Sequence, residues 1–151
     1  MKVEDLMTKR PITVKPTDTL GKVVRILAEK NISGCPVVSK GKLVGIVTQT
    51  DVIRAIDVYE KINKNGDLFS LVVAVIKSRD YTKQLRQALN IKVKEFMKSD
   101  VKYIEEDGDI YLAAKLINRH DIDRLPVVKK GKLIGILTKA DIIKALEKLE
   151  D

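Results

Sequence analysis

The 151-residue chain has one cysteine, one histidine, no tryptophan and an aromatic content of only 4%. Each scarcity closes a class of function. A lone Cys35 makes neither an internal disulfide nor a thiolate-rich zinc site, and it points to a reducing compartment. His120 has no Ser or Cys nucleophile grouped with it, and at the end of an expected helix it reads as a residue that complements the helix dipole. So few aromatic rings argue against a base-stacking platform for single-stranded nucleic acid. Neither G-x-x-x-x-G-K-S/T nor G-x-G-x-x-G occurs, so a nucleotide would have to be held by another device. The longest apolar run, Leu71 to Ile76, falls far short of the roughly 20 residues that cross a bilayer. Met1 to Leu6 carries charges where a secretory signal is apolar, so the expectation is a cytoplasmic protein with no membrane contact.

What is present is a globular balance: 44% hydrophobic residues for a core and 33% charged residues for a solvated surface. The formal net charge of +8 is unevenly placed, at +5 over residues 1–56, +3 over 57–92 and zero over 93–151. An excess in the first two thirds suits phosphates, nucleic acid or an acidic partner, and it equally suits a lysine-rich solvated surface. No helix-turn-helix or RNP pattern accompanies it, which places a nucleic-acid partner behind a small-molecule one.

The organising feature is an internal repeat. A shift of 90 positions aligns Val3–Ile56 with Val93–Leu146 without a gap, and 16 of the 54 pairs are identical. Chance at ordinary composition gives roughly three to four. Each copy reads as β-α-β-β-α. In the first, Ile12–Val14 is extended, Thr17 or Asp18 caps a helix bearing Leu20, Val23, Val24 and Leu27, and Cys35–Ser39 and Leu43–Val47 form a hairpin about Lys40-Gly41. A helix from about Gln49 to Asp57 closes the copy. Some 54 residues bury little surface alone, so the copies are expected to pack together. Residues 58–92 stand outside the repeat. Asp67 is placed to cap a helix over Leu68–Lys77, and Tyr81–Leu89 also reads as helical. The apolar stretch within this insertion needs cover, either from its own module or from a second subunit.

The chemistry-bearing segment is Gly45-Ile-Val-Thr48-Gln-Thr-Asp51, repeated as Gly135-Ile-Leu-Thr138-Lys-Ala-Asp141. A strand running into a helix through a hydroxyl residue offers open N–H groups to an anion, and an acid one turn on accepts hydrogen bonds from vicinal hydroxyls such as those of a ribose. The same T-x-x-D spacing is also a capping box, and duplication does not separate the two readings. Glu105, Glu106, Asp107 and Asp109 read as a solvated loop before a helix, so no metal is assigned.

The order of an apolar residue, Pro-Val-Val, a Lys-Gly turn, Leu-x-Gly-Ile-x-Thr-x-x-Asp and an apolar helix, met twice, resembles the CBS domain, and the pair resembles a Bateman module. The resemblance implies an α+β fold of tandem β-α-β-β-α repeats packed as one pseudo-twofold module. It divides the chain into a first repeat at 1–57, a mostly helical insertion at 58–92 and a second repeat at 93–151. It implies a regulatory or sensor role without catalysis, exerted by an adenosyl ligand of the AMP, ADP, ATP or S-adenosylmethionine class bound in clefts between repeats, with no obligatory cofactor. By the same resemblance Asp51 and Asp141 match the ribose-binding acid, and Thr48 and Thr138 the phosphate-contacting hydroxyl. Gly34, Cys35 and Pro36, with Arg124, Leu125 and Pro126, match the stretch that edges the adenine, and Thr13, Val14, Tyr103 and Ile104 line the opposite wall. Arg124 matches a phosphate-binding position whose counterpart is Gly34, so the two clefts are expected to be unequal. A homodimer and an unidentified regulated protein complete the expected partners.

Overall fold

The computed structural model describes residues 1–64 and 81–150 and, of residues 58–64 and Tyr81, only the backbone. Its elements in chain order are α1 (Val3–Leu6), β1 (Thr8–Lys9), α2 (Leu20–Lys30), β2 (Gly34–Ser39), β3 (Lys42–Thr48), α3 (Gln49–Lys64), α4 (Tyr81–Ala88), α5 (Val93–Phe96), β4 (Ile104–Glu105), α6 (Ile110–His120), β5 (Arg124–Lys129), β6 (Lys132–Thr138) and α7 (Lys139–Glu147). The α+β expectation holds. The expected helix over Leu68–Lys77 lies outside the described residues.

The two hairpins follow from their turn residues. Lys40 and Gly41 have φ of 52° and 79°, and Lys130 and Gly131 have 49° and 78°. Two consecutive positive φ values give a turn whose twist matches that of the strands it joins, and the second glycine adopts them at no steric cost. The first long helix starts one residue later than the sequence indicates. Thr19 caps α2 by accepting the Lys22 N–H at 3.2 Å, because the Asp18 carboxylate turns back to accept the Lys15 N–H at 2.7 Å. Asn31 and Asp121 end α2 and α6 in the left-handed conformation, the usual stop for a helix that must turn into a strand.

The chain forms two compact units: unit 1 comprises Met1–Thr13, Pro36–Gly45 and Ser99–Asp151, and unit 2 comprises Val14–Cys35 and Ile46–Lys98. Unit 1 holds β1, β4, β5 and β6 whole, with β6 next to β5, β5 next to β4, and β1 paired to β6. β5 and β6 are antiparallel with Arg124 opposite Thr138 and Pro126 opposite Ile136, and β4 joins β5 in parallel. Helices α6 and α7 pack on one another, and Val3, Ile104, Ala113, Ile117, Leu125, Val127, Leu137 and Ile142 form the core of the unit. In unit 2, α3 packs against α2, α4 and α5, and Leu20, Val23, Val47 and Val93 are fully buried.

The units do not coincide with the sequence repeats, because each takes the opening segment of the other copy. In unit 1, Thr8 pairs with Ile136 and Lys9 with Gly135, and the Val3 N–H donates to Gly108 O at 2.8 Å. In unit 2 the same contacts recur 90 residues along: Ile46 and Lys98 exchange N–H···O bonds of 2.9 and 3.0 Å, and the Val93 N–H donates to Asp18 O at 2.8 Å. Gly135 makes the first crossing possible, since a Cβ there would overlap the Met7 side chain and lie 3.1 Å from Thr8 O. The exchanged segment is anchored by Val3 in unit 1 and Val93 in unit 2, each 0% exposed. Full burial of such a side chain contributes about 1.5 to 3 kcal/mol.

Candidate functional site

Each unit contains one strand-to-helix junction bearing Thr and Asp, so the two candidate sites are described separately. In unit 2, β3 delivers Thr48 to the start of α3, and the Gln49 N–H donates to Ser33 O at 2.9 Å, tying the helix start to the entry of β2. Asp51 Oδ2 accepts the Thr48 N–H at 2.8 Å and the Thr48 hydroxyl at 3.0 Å, while the Asp51 N–H donates to Thr48 Oγ1 at 3.4 Å. This is a reciprocal cap. It uses one carboxylate oxygen.

The other oxygen, Asp51 Oδ1, accepts no hydrogen bond, and among the described residues it is the one buried side-chain polar atom left so. Arg54 Nη1 lies 3.6 Å from it and Lys98 Nζ 3.9 Å. Those separations suit ion pairing but exceed the 2.7–2.9 Å of a charge-assisted hydrogen bond. The Asp51 side chain is 0% exposed, whereas Arg54 and Lys98 are 58% and 51% exposed. The junction thus holds a buried acceptor with two mobile-stemmed cations at its rim. Val14, Gly34 and Cys35 are buried in the same unit.

In unit 1 the cap is repeated: Asp141 Oδ2 accepts the Thr138 N–H at 2.8 Å and its hydroxyl at 2.7 Å, and the Asp141 N–H returns to Thr138 Oγ1 at 3.3 Å. The surroundings differ. Arg124, at 6% exposure, is a buried cation on β5 directly opposite Thr138, and Asp141 is half-buried. The Lys139 N–H donates to Asp123 O at 3.1 Å, and Lys139 Nζ pairs with the Asp123 carboxylate at 3.0 Å. That hydrogen bond, working against a smaller effect of burial, holds the Asp123 carboxyl below its ordinary value.

Register and burial thus bring Ile104, Arg124, Leu125, Pro126, Thr138 and Asp141 together in unit 1, with Tyr103 half-exposed beside Ile104. Thr13 and Pro36 also fall in unit 1. Lys98 is the residue that sequence reasoning missed. It lies 47 positions from Asp51 and belongs to the other copy, and only the pairing of Lys98 with Ile46 brings it near.

Comparison with known proteins follows the same lines. The chain is 38% identical over 154 aligned residues to the uncharacterised protein MJ1426 of Methanocaldococcus jannaschii, covering 97% of this chain and 91% of that one. It is 34% identical to the inosine-5'-monophosphate dehydrogenase of the same organism, covering 95% of this chain but only 23% of the enzyme. Among solved structures it resembles CBSX2, a CBS-pair protein of Arabidopsis thaliana crystallised in complex with AMP, at 27% identity and a TM-score of 0.74, over 99% of this chain and 98% of that one. The sequence pattern of the CBS domain matches residues 3–58 and again 93–148, and the chain belongs to the CBS domain family.

Proposed function

We propose that this protein is a regulatory module that binds adenosine-containing ligands and does not itself catalyse a reaction. The observation that carries the reading is Asp51 Oδ1, buried and without a hydrogen-bond donor. A buried acceptor left unpaired costs about 1–3 kcal/mol, and a ligand hydroxyl removes that cost on binding. The cap and the ligand site are therefore two oxygens of one carboxylate: Oδ2 holds the helix start, and Oδ1 meets a ribose. The Thr48 hydroxyl gives its proton to Oδ2, so toward a ligand it offers only a lone pair. Recognition of phosphate then falls to the cations. The AMP complex of the similar CBSX2 supports the ligand class.

Asparagine at these positions keeps the capping oxygen and replaces the second one by an amide N–H₂, which cannot accept. In thermal-shift and calorimetric titrations with AMP, ATP and S-adenosylmethionine, at least one ligand raises the melting temperature at millimolar concentration; at 100 times Kd the stabilisation is about 2.7 kcal/mol. Asp51→Asn together with Asp141→Asn abolishes the shift while leaving the unliganded melting temperature nearly unchanged. If no ligand shifts the unsubstituted protein, the reading fails.

A ligand regulates only through unequal affinity for two arrangements, and a partner must read the difference. We propose that each unit offers such a partner, a second copy or a regulated protein, its own exposed isoleucine, Ile53 in unit 2 and Ile143 in unit 1. These are repeat-related isoleucines, 67% and 66% exposed on α3 and α7. Among the described residues no helix is long and apolar enough to cross a membrane.

A further inference from the structure

The two sites carry the same kinds of charge at different places. Unit 1 has Asp141, Arg124 on β5 and Lys144 one turn beyond the acid. Unit 2 has Asp51 with Arg54 one turn beyond, but Gly34 stands where unit 1 has Arg124. Its second cation is Lys98, carried by the exchanged segment that pairs with β3 at Ile46. The counterpart of Lys98 in unit 1 is Thr8, which is neutral and exposed on β1. The loss of a cation on the strand is thus matched by the gain of one on the exchanged segment. One acid and two cations leave the Asp51 junction with an excess of one positive charge.

Resting on the proposed binding of adenosyl ligands, we propose that Lys98 is the residue by which the unit 2 site selects a nucleoside phosphate over a neutral nucleoside. Its ammonium is half-exposed and 3.9 Å from Asp51 Oδ1. It makes no short hydrogen bond to that oxygen, so it turns to a ligand phosphate without giving one up. The ribose hydroxyl takes Oδ1, and the freed ammonium takes the phosphate. Lysine suits this because it presents a point charge on a flexible four-carbon stem, whereas a buried arginine such as Arg124 is held in place. Arg54 Nη1, 3.6 Å from Asp51 Oδ1, stays beside the carboxylate when Lys98 is replaced, so the buried acid is not left without a cation.

The test is calorimetric titration of AMP and adenosine in an Asp141→Asn background, which leaves Asp51 as the one unaltered junction acid. Lys98→Met is expected to weaken AMP by about tenfold while adenosine changes less than about twofold, and Lys98→Arg to restore AMP to within about threefold. The AMP affinity of the Lys98→Met protein also falls less steeply with added salt. Equal weakening of both ligands, or an unchanged AMP affinity, overturns the role of Lys98. If Asp51→Asn still abolishes binding in that case, the adenosyl reading stands without it. If neither ligand binds the unsubstituted protein, the reading and this inference fall together.

Discussion

Units 1 and 2 share a scaffold to within tenths of an ångström in their caps and differ in where their charge is buried. Unit 1 buries a cation, Arg124, across from Thr138; unit 2 buries an anion, Asp51, with its cations at the rim. Duplication has therefore preserved what the backbone requires, namely the glycines of the turns, the Thr–Asp caps and the valine anchors. The charged positions around those fixed points have diverged. Capping and the proposed ligand binding place different demands on the same Asp; the caps match between the copies, and the charges around them do not.

The comparison can be broken first at the exchanged segment. Gly135→Ala places a methyl group against Met7 and Thr8, and overpacking of this kind costs about 1–3 kcal/mol. A urea-unfolding midpoint lowered accordingly, with loss of hydrogen-exchange protection at Ile136, is the expected result; an unchanged midpoint would show that the crossing tolerates a side chain. Next come the anchors. Val3→Ala and Val93→Ala should each cost about 2 kcal/mol, because each removes two methyl groups from a 0% exposed site. Equal costs support an equivalent scaffold, and a difference above about 1 kcal/mol, beyond ordinary scatter between sites, argues against it.

The smallest effect sharpens the comparison at acid pH. Burial pushes the Asp18 carboxyl upward, but its hydrogen bonds from the Lys15 N–H and the Lys22 ammonium, together with their charges, prevail and leave it below its usual 3.8. A carboxyl depressed in the folded state contributes stability above its unfolded value and loses it as the pH falls through the folded one. Stability should thus decline below about pH 4 partly through Asp18, and Asp18→Asn should flatten that part of the curve in urea titrations. Unit 1 has Gly108 at this position, where a Cβ would press to 2.7 Å of the Ile104 side chain, so no equivalent contribution arises there.

Much of this was legible in sequence. Turn glycines, the helix periodicity and the T-x-x-D junction are local, and local signals survive without knowledge of the fold. The same locality explains the misplacement of the α2 cap: Thr17, Asp18 and Thr19 all have capping side chains, and the choice of Thr19 depends on Asp18 bonding backward to Lys15. The units themselves were not legible, because a segment that pairs 128 residues away, as Thr8 does with Ile136, leaves no periodicity behind. Lys98 was hidden for that reason. The ambiguity between cap and ligand site had a different origin: residue spacing describes a side chain as a whole, and here one oxygen of Asp51 makes the cap while the other is left without a donor.

The exchange of opening segments has a consequence for how the chain assembles. A solitary copy could complete its unit only by trading segments with a second molecule, so its folding would depend on protein concentration. Joining two copies in one chain turns that encounter into an intramolecular one, whose effective concentration is set by the connection and does not fall on dilution. The connection through residues 58–92 is then what makes the folding of each unit independent of dilution.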